Sequence, residues 1–294
     1  MSTSMITAVP ELTRRVRGRR RRNLPVLAGL LVLALVLFAI VGPLLIPYGE
    51  TQGSLSARLL PPFGSAGGHL HLLGTDQLGR DTLVRLAYGA RVSLLVGVVG
   101  VLVACVIGTT VGLLAGIGKR WVDSVLMRGT DVALSIPGLL VAILLASVFR
   151  PSLVTIFVTV GLLLWPTYAR LIRGEVLVLR NADFVALARV AGCSTRTIVW
   201  RHLLPNVLPS MIVLATLQIG VAIVLEASIS FLGVGLPPDQ ASWGSMIDQG
   251  RPYLQSAWWL TALPGLFIFL AVVSFNALGD WARVRFDPRL DGPR

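Results

Sequence analysis

Few side chains in this 294-residue sequence have the type and spacing to do chemistry unaided. The three histidines are scattered: His69 and His71 alternate in one loop, and His202 stands beside Arg201. An alternating pair can touch a metal ion, but alone it reads as solvated, and no metal site is expected. Cys105 and Cys193 fall in segments of different character, so no disulfide between them is expected. A phosphate-cradling G-x-x-x-x-G-K-[ST] loop is missing, because Gly118-Lys119 is followed by Arg120 and the upstream glycine spacing fails. H-E-x-x-H, C-x-x-C and G-x-S-x-G do not occur either. No catalytic residue is therefore expected, and any work the chain does must draw its energy from elsewhere.

The most informative polar stretch is 183–206, an arginine-rich island between two apolar segments. It reads as two short helices. Asp183 is expected to cap the first, Gly192 suits its left-handed C-terminal end, and Ser194 is expected to cap the second. Pro205 is expected to stop the second helix from running into the next apolar segment. An ordered loop of this kind points to contact with something outside the membrane.

The elements that position it follow from composition. The chain is 54% hydrophobic and 14% charged, with mean hydropathy +0.78, which excludes an ordinary soluble domain. Apolar runs at 24–46, 92–117, 132–149, 153–169, 207–225 and 258–278 are each about long enough to cross a ~30 Å hydrocarbon core as helices. They do not alternate as barrel strands would. The fold class is all-α, a polytopic membrane protein with about six transmembrane helices. Residues 24–46 are too long an apolar core for a cleaved leader and lack a small-residue cleavage site, so a retained helix is expected.

The net charge of +12 does not imply nucleic acid. Seven arginines, Arg14, Arg15, Arg17, Arg19, Arg20, Arg21 and Arg22, precede the first span and place the N-terminus in the cytoplasm. With an even number of spans the C-terminal arginines Arg283, Arg285 and Arg289 are cytoplasmic as well. Arg58, Arg80, Arg85 and Arg91 in the external segment run against this rule, diluted by Glu50, Asp76 and Asp81. Lipid is the expected partner of the basic arm.

The organisation expected is a basic, disordered arm (1–23), a first helix (24–48), an external loop (49–91), a five-helix core (92–282) with the polar loop at 174–206, and a tail (283–294). In the external loop Pro47, Pro61, Pro62, Gly64, Gly67 and Gly68 predict irregular structure, followed by a short interfacial helix capped by Asp81. Leu83, Leu86 and Ala87 share one face of that helix, with Arg85 opposite. The second span carries Gly100, Ala104, Gly108, Gly112 and Gly116 at intervals of four, a stripe that lets another helix approach within the bundle or from a partner subunit. Glu226, about 20 residues into its span, is expected at the outer boundary, snorkelling or capping in one reading and touching substrate in another.

The stretch 73–91, the loop 183–206 and the run from Glu226 to Gly235, Glu-Ala-Ser-Ile-Ser-Phe-Leu-Gly-Val-Gly, occur in the order and spacing of one family. Ser242-Trp-Gly, Phe275-Asn-Ala-Leu-Gly-Asp280 and Asp287-Pro-Arg-Leu290 extend the similarity over about residues 24–290. The chain resembles a permease subunit of the ABC importers for di- or oligopeptides, and 183–206 resembles their EAA loop. The resemblance implies a coupling helix, on positions Asp183 to Gly192, docked in a groove of a cytosolic ATPase. Phe184 and Leu187 would then be apolar anchors, Ala188 would permit close approach, Arg189 would reach an acidic partner, and Gly192 and Pro205 would shape the turns. The usual EAA glutamate is replaced here by Ala186, which leaves docking to packing and Arg189.

The same resemblance implies a homologous second permease, two cytosolic P-loop ATPases and an extracytoplasmic binding protein, in the inner membrane of a bacterium. ATP and Mg would sit on the ATPases, with no cofactor on this chain. Peptide is the implied cargo, and nickel, a metallophore or glutathione are the alternatives; the residues that bind it cannot be read. A self-sufficient channel or carrier would need an internal repeat or midplane charges, and neither is visible.

Overall fold

The computed structural model describes residues 9–286 apart from 46–48, 50, 67, 234 and 238, and of 9–23, 45, 146 and 286 only the backbone. Pro47, Glu50, Gly67, Arg289 and the motif at 287–290 lie outside the described residues. Ten helices are described: α1 (Val9–Leu45), α2 (Thr82–Ile117), α3 (Arg120–Ser135), α4 (Gly138–Val148), α5 (Leu153–Leu179), α6 (Asp183–Val190), α7 (Thr195–Ile198), α8 (Leu204–Phe231), α9 (Trp243–Gly250) and α10 (Trp259–Phe286). Among the described residues five helices are long and apolar enough to cross a membrane, or six if α3 and α4 form one broken span. Those two are bent by 86°. The straight helix expected over 132–149 is not formed. Pro137 cannot donate and pushes Ile136 into extended backbone (φ −88°, ψ 127°), so α3 ends at Ser135.

Three further expectations change. The arm expected to be disordered is helical from Val9 and continuous with the first span. The separate interfacial helix is instead the first turns of α2, one helix of 36 residues whose N-terminal Leu83 and Val84 N–H groups are capped by Asp81. The loop expected to be irregular holds a short antiparallel hairpin, β1 (Gly64–Ala66) paired with β2 (His69–His71).

α2 is the axis of the bundle, and its small-residue stripe lies against α5. A Cβ on Gly108 would stand 2.4 Å from the Trp165 carbonyl and from Tyr168 Cβ, and one on Gly112 would stand 2.8 Å from the Ala169 carbonyl. Gly100 meets Val160, Gly116 meets Val176, and Ala104 is fully buried. With no side chains on these positions the two backbones touch, so dispersion contacts accumulate where lipid would otherwise compete equally well for leucine.

At the hairpin end Pro43 of α1 cannot donate to the Ala39 carbonyl, and Arg91 of α2 does so instead, Nε at 2.6 Å. Arg85, expected opposite the apolar face of an interfacial helix, lies inside the protein. It is 2% exposed, with Nη1 donating to Asp76 Oδ2 at 2.6 Å and to Gln249 Oε1 at 2.9 Å. Arg80 Nε donates to the same Asp76 oxygen at 2.7 Å. Burial pushes the Asp76 carboxyl up, but the Arg85 charge, the Arg80 and Leu78 N–H groups and the Arg80 charge outweigh it and hold the pKa below the ordinary value.

Two outcomes follow. Gly108→Ala forces the α2 and α5 backbones apart and is expected to cost about 1–3 kcal/mol, seen as a lower melting temperature in detergent. Gly129→Ala, whose Cβ would meet nothing within 4 Å, leaves it unchanged or slightly higher. Because the folded pKa of Asp76 is depressed, its stabilisation is present at neutral pH and is lost as the pH falls below 3.8 toward the folded value. Asp76→Asn should remove that acid-sensitive part and, by leaving two buried guanidinium groups without their carboxylate, cost about 3–5 kcal/mol at neutral pH. Thermal unfolding of both proteins across that pH range reads the difference.

Candidate functional site

The polar island forms α6 and α7 at the end of the bundle away from the hairpin. Asp183 does not cap α6. The cap position is Ala182, without a side-chain bond, and Asp183 is the exposed first helical residue. Its carboxylate still lies in the first turn, where the helix dipole favours negative charge. The other end matches expectation. Gly192 takes φ +79°, its N–H bonds to the Arg189 carbonyl, and the Cys193 N–H bonds to the Ala188 carbonyl, both at 3.0 Å. That pair of bonds closes the helix and turns the chain through a left-handed residue. Ser194 accepts from the Thr197 N–H at 3.3 Å and caps α7.

Pro205 does not interrupt the following helix. A π turn over Val199–Leu203 joins α7 to α8, with the Leu204 N–H reaching Val199 O. The wider turn shifts the hydrogen-bond register just before Pro205, where a tighter helix would clash with the proline ring. The apolar helix therefore runs without a break over Thr195–Phe231.

α6 has two faces. Val185 and Ala188, three residues apart, are buried in a cluster with Ile172, Val176, Ile198, Leu203 and Val207. Ala188 is thus committed to this chain's own core, 8% exposed, and is not available for close approach by a partner, a correction of its expected place. The opposite face is apolar and uncovered: Phe184 is 39% exposed, Leu187 68% and Val190 87%. Trp200 adds a fourth exposed apolar side chain, and the Phe184 ring lies 6.3 Å from that of His202. Ala186 and Arg189 are exposed as well. Val185, Val190 and Trp200 were not singled out from sequence. The three-residue period 184, 187, 190 and its inward counterpart 185, 188 was the signal that would have found them.

The loop is anchored to the bundle by polar contacts too. Arg180 Nη1 donates to the Gly116 carbonyl at 2.9 Å. Arg173 of α5 grips Asp123 of α3 through two bonds at 2.6 and 2.7 Å, and Arg170 meets Asp131 at 2.6 Å.

Glu226 departs from its expected place at a solvated boundary. It is fully buried at the hairpin end, accepting from Ser93 and Ser230, each at 2.8 Å. Among the described residues no group of three or more His, Cys, Asp or Glu could hold a metal ion. His71 Nδ1 lies 2.7 Å from Asp81 Oδ2, so one member of the alternating pair is engaged by the carboxylate that caps α2.

Comparison with known proteins adds the following. Residues 108–292 match the family described as binding-protein-dependent transport system inner membrane component. Residues 12–62 match the N-terminal TM domain of oligopeptide transport permease C. The chain is 38% identical over 270 residues to the di/tripeptide transport system permease protein DppC of Pseudomonas aeruginosa, covering 91% of this chain and 89% of that protein. It is 39% identical to the glutathione transport system permease protein GsiD of Pectobacterium atrosepticum, covering 92% and 88%. It is also 39% identical to the dipeptide transport system permease protein DppC of Bacillus subtilis, covering 92% and 84%. The structure of the inward-facing MetNI methionine ABC transporter superposes with a TM-score of 0.56 at 20% identity, over 68% of this chain and 95% of that one. At that identity the likeness is one of fold.

The two faces of α6 separate experimentally. Val185→Asp places a charge in the buried cluster and is expected to free the loop, so that trypsin cuts at Arg189 and Arg196 at least tenfold faster than in the parent. Leu187→Asp, on the exposed face, should leave the cleavage rate unchanged.

Proposed function

The chain belongs to the family of binding-protein-dependent transport system inner membrane components, and from that premise we propose that it is one of two homologous permease subunits of an ATP-driven importer, forming half of its translocation pathway. It is a multi-pass protein of the bacterial inner membrane. In this reading the N- and C-termini and the α6–α7 loop are cytoplasmic, and the hairpin and α9 face outward, as the arginine run before the first span favours. ATP and Mg are held by two separate ATPase subunits, and this chain is non-catalytic.

The observation that carries the reading is the outward face of α6. Phe184, Leu187 and Val190 are held in one orientation by the buried side of the same helix, by the left-handed turn at Gly192 and by the Ser194 cap. A helix resting on lipid has no need of so fixed an aim. A groove on a protein does, because preorganised anchors lower the cost of association. Each anchor would contribute about 1.5–3 kcal/mol by burial before that cost. Arg189 at the end of the helix supplies a charge for an acidic rim. With Ala186 in place of a glutamate, docking rests on these apolar anchors and on Arg189.

The cargo proposed is a short peptide. Relatives named for dipeptides, di/tripeptides and glutathione have cargo of one chemical class, an amide-linked chain of two or three residues. An outer binding protein would deliver it. Glutathione itself is the second reading, favoured by the likeness to a permease named for it.

The test begins with affinity purification of the tagged chain from its native membrane and mass spectrometry of what accompanies it. A homologous permease, one or two P-loop ATPases and a binding protein are expected. The double variant Leu187→Asp, Val190→Asp should lower the recovered ATPase tenfold or more while the loop stays resistant to trypsin. A chain that purifies alone, folded, and moves solute without ATP would overturn the proposal in favour of a channel or carrier.

A further inference from the structure

Glu226 is a carboxylate with no exposed surface, set where α2, α8 and α9 converge. Ser93 of α2 donates to Oε2 and Ser230 of α8 to Oε1, both at 2.8 Å, and the Ser242 hydroxyl at the start of α9 is a third donor. Each hydroxyl has one proton to give, and the two carboxyl oxygens carry the lone pairs to accept them. The serine oxygens pass the connection on. Ser93 Oγ accepts from the Trp243 N–H at 3.4 Å, and Ser242 Oγ accepts from the Ser245 N–H at 3.2 Å.

Packing around this group is close. A Cβ on Gly244 of α9 would stand 2.4 Å from the Ala227 carbonyl of α8, and one on Gly89 would stand 3.0 Å from the Trp243 ring. Trp243 Nε1 donates to the Leu86 carbonyl at 3.2 Å. The far end of α9 is held through Gln249 to Arg80 and Arg85. α8, for its part, continues through the π turn into α7, a run of 37 residues and about 55 Å. One end of this rod is the loop with the exposed apolar face, and near the other is Glu226.

We propose that Glu226 is a positioning residue through which displacement of the loop end of α8 is transmitted to α9 at the hairpin end. The inference rests on the importer reading above. A buried carboxylate is an expensive way to fill space, and an apolar side chain of the same volume would fill it without that cost. What the carboxylate adds is direction. Sliding α9 along α8 by one residue would leave a buried carboxyl group short of its hydrogen-bond partners, whereas apolar contacts slide with little penalty. Having no exposed surface, Glu226 meets no cargo, and its effect is on what α9 does.

The complex purified with its partners is reconstituted in lipid vesicles and supplied with radiolabelled dialanine or glutathione. ATP hydrolysed and peptide imported are measured together, with the amount of assembled complex. Glu226→Gln replaces one acceptor oxygen by a donor and should raise the ATP consumed per peptide imported tenfold or more. Ser242→Ala removes one hydroxyl and should raise it about threefold, and it decides the matter if Glu226→Gln does not assemble. Ser228→Ala, whose hydroxyl bonds only the Val224 carbonyl of its own helix at 2.8 Å, should leave the ratio unchanged. If hydrolysis and import fall together with the amount of complex, at constant ratio, Glu226 is a fold residue only and the proposal is overturned. A parent complex with no ATP-dependent uptake of either peptide overturns the importer reading, and this inference with it.

Discussion

Backbone contact between α2 and α5 is the constraint on which the rest of the molecule depends. In a hydrocarbon environment burial of leucine gains little between helices, so close packing and satisfied polar groups must hold the bundle. Gly108 and Gly112 bring the α2 backbone against the Trp165 and Ala169 carbonyls, and nothing larger fits there. That seam fixes where α5 ends, and the end of α5 fixes where α6 begins. Arg180, just past α5, returns to the Gly116 carbonyl at the bottom of the same stripe. The aim of the exposed face of α6 is therefore set by glycines some distance away.

A second demand falls on buried polar groups, which need partners within the protein wherever water is absent, and three arrangements meet it. Pro43 removes a donor from α1 and Arg91 supplies one. Asp76 holds two guanidinium groups that would otherwise be buried unbalanced. Glu226 collects three hydroxyls. All three arrangements lie at the hairpin end and link that end of α1, α2, α8 and α9 into one body. At the other end the ties are the more exposed pairs Arg173–Asp123 and Arg170–Asp131, which are screened by water and worth less. The bundle is thus held hard at one end and more lightly at the other, where the loop is.

Much of this was legible before any coordinates. The apolar runs, the small-residue stripe, the Asp81 and Ser194 caps and the turn at Gly192 were readable because each depends on residues adjacent in sequence or on one helix face. Three readings fail where a distant residue decides. Arg85 reads as lying opposite the apolar face of a short helix, but Asp76 and Gln249 hold it inside. Glu226 was placed at a solvated boundary, but Ser93 and α9 bury it. Ala188 was given to a partner, but the cluster around Ile172 and Val207 takes it. A fourth fails for a local reason: Pro205 is read as ending a helix, but the π turn before it accommodates the ring.

By itself the sequence determined the class of the protein, the approximate place of its spans and the existence of an ordered polar loop. Those follow from composition, from the length a helix needs to cross lipid, and from local capping chemistry. Only the tertiary structure decided which face of α6 is buried, which buried charges are answered and by whom, and that α7 and α8 are one rod. The reason is physical. A helical period of about 3.6 residues says that a face exists, and only the neighbours that pack against it say which way the face points.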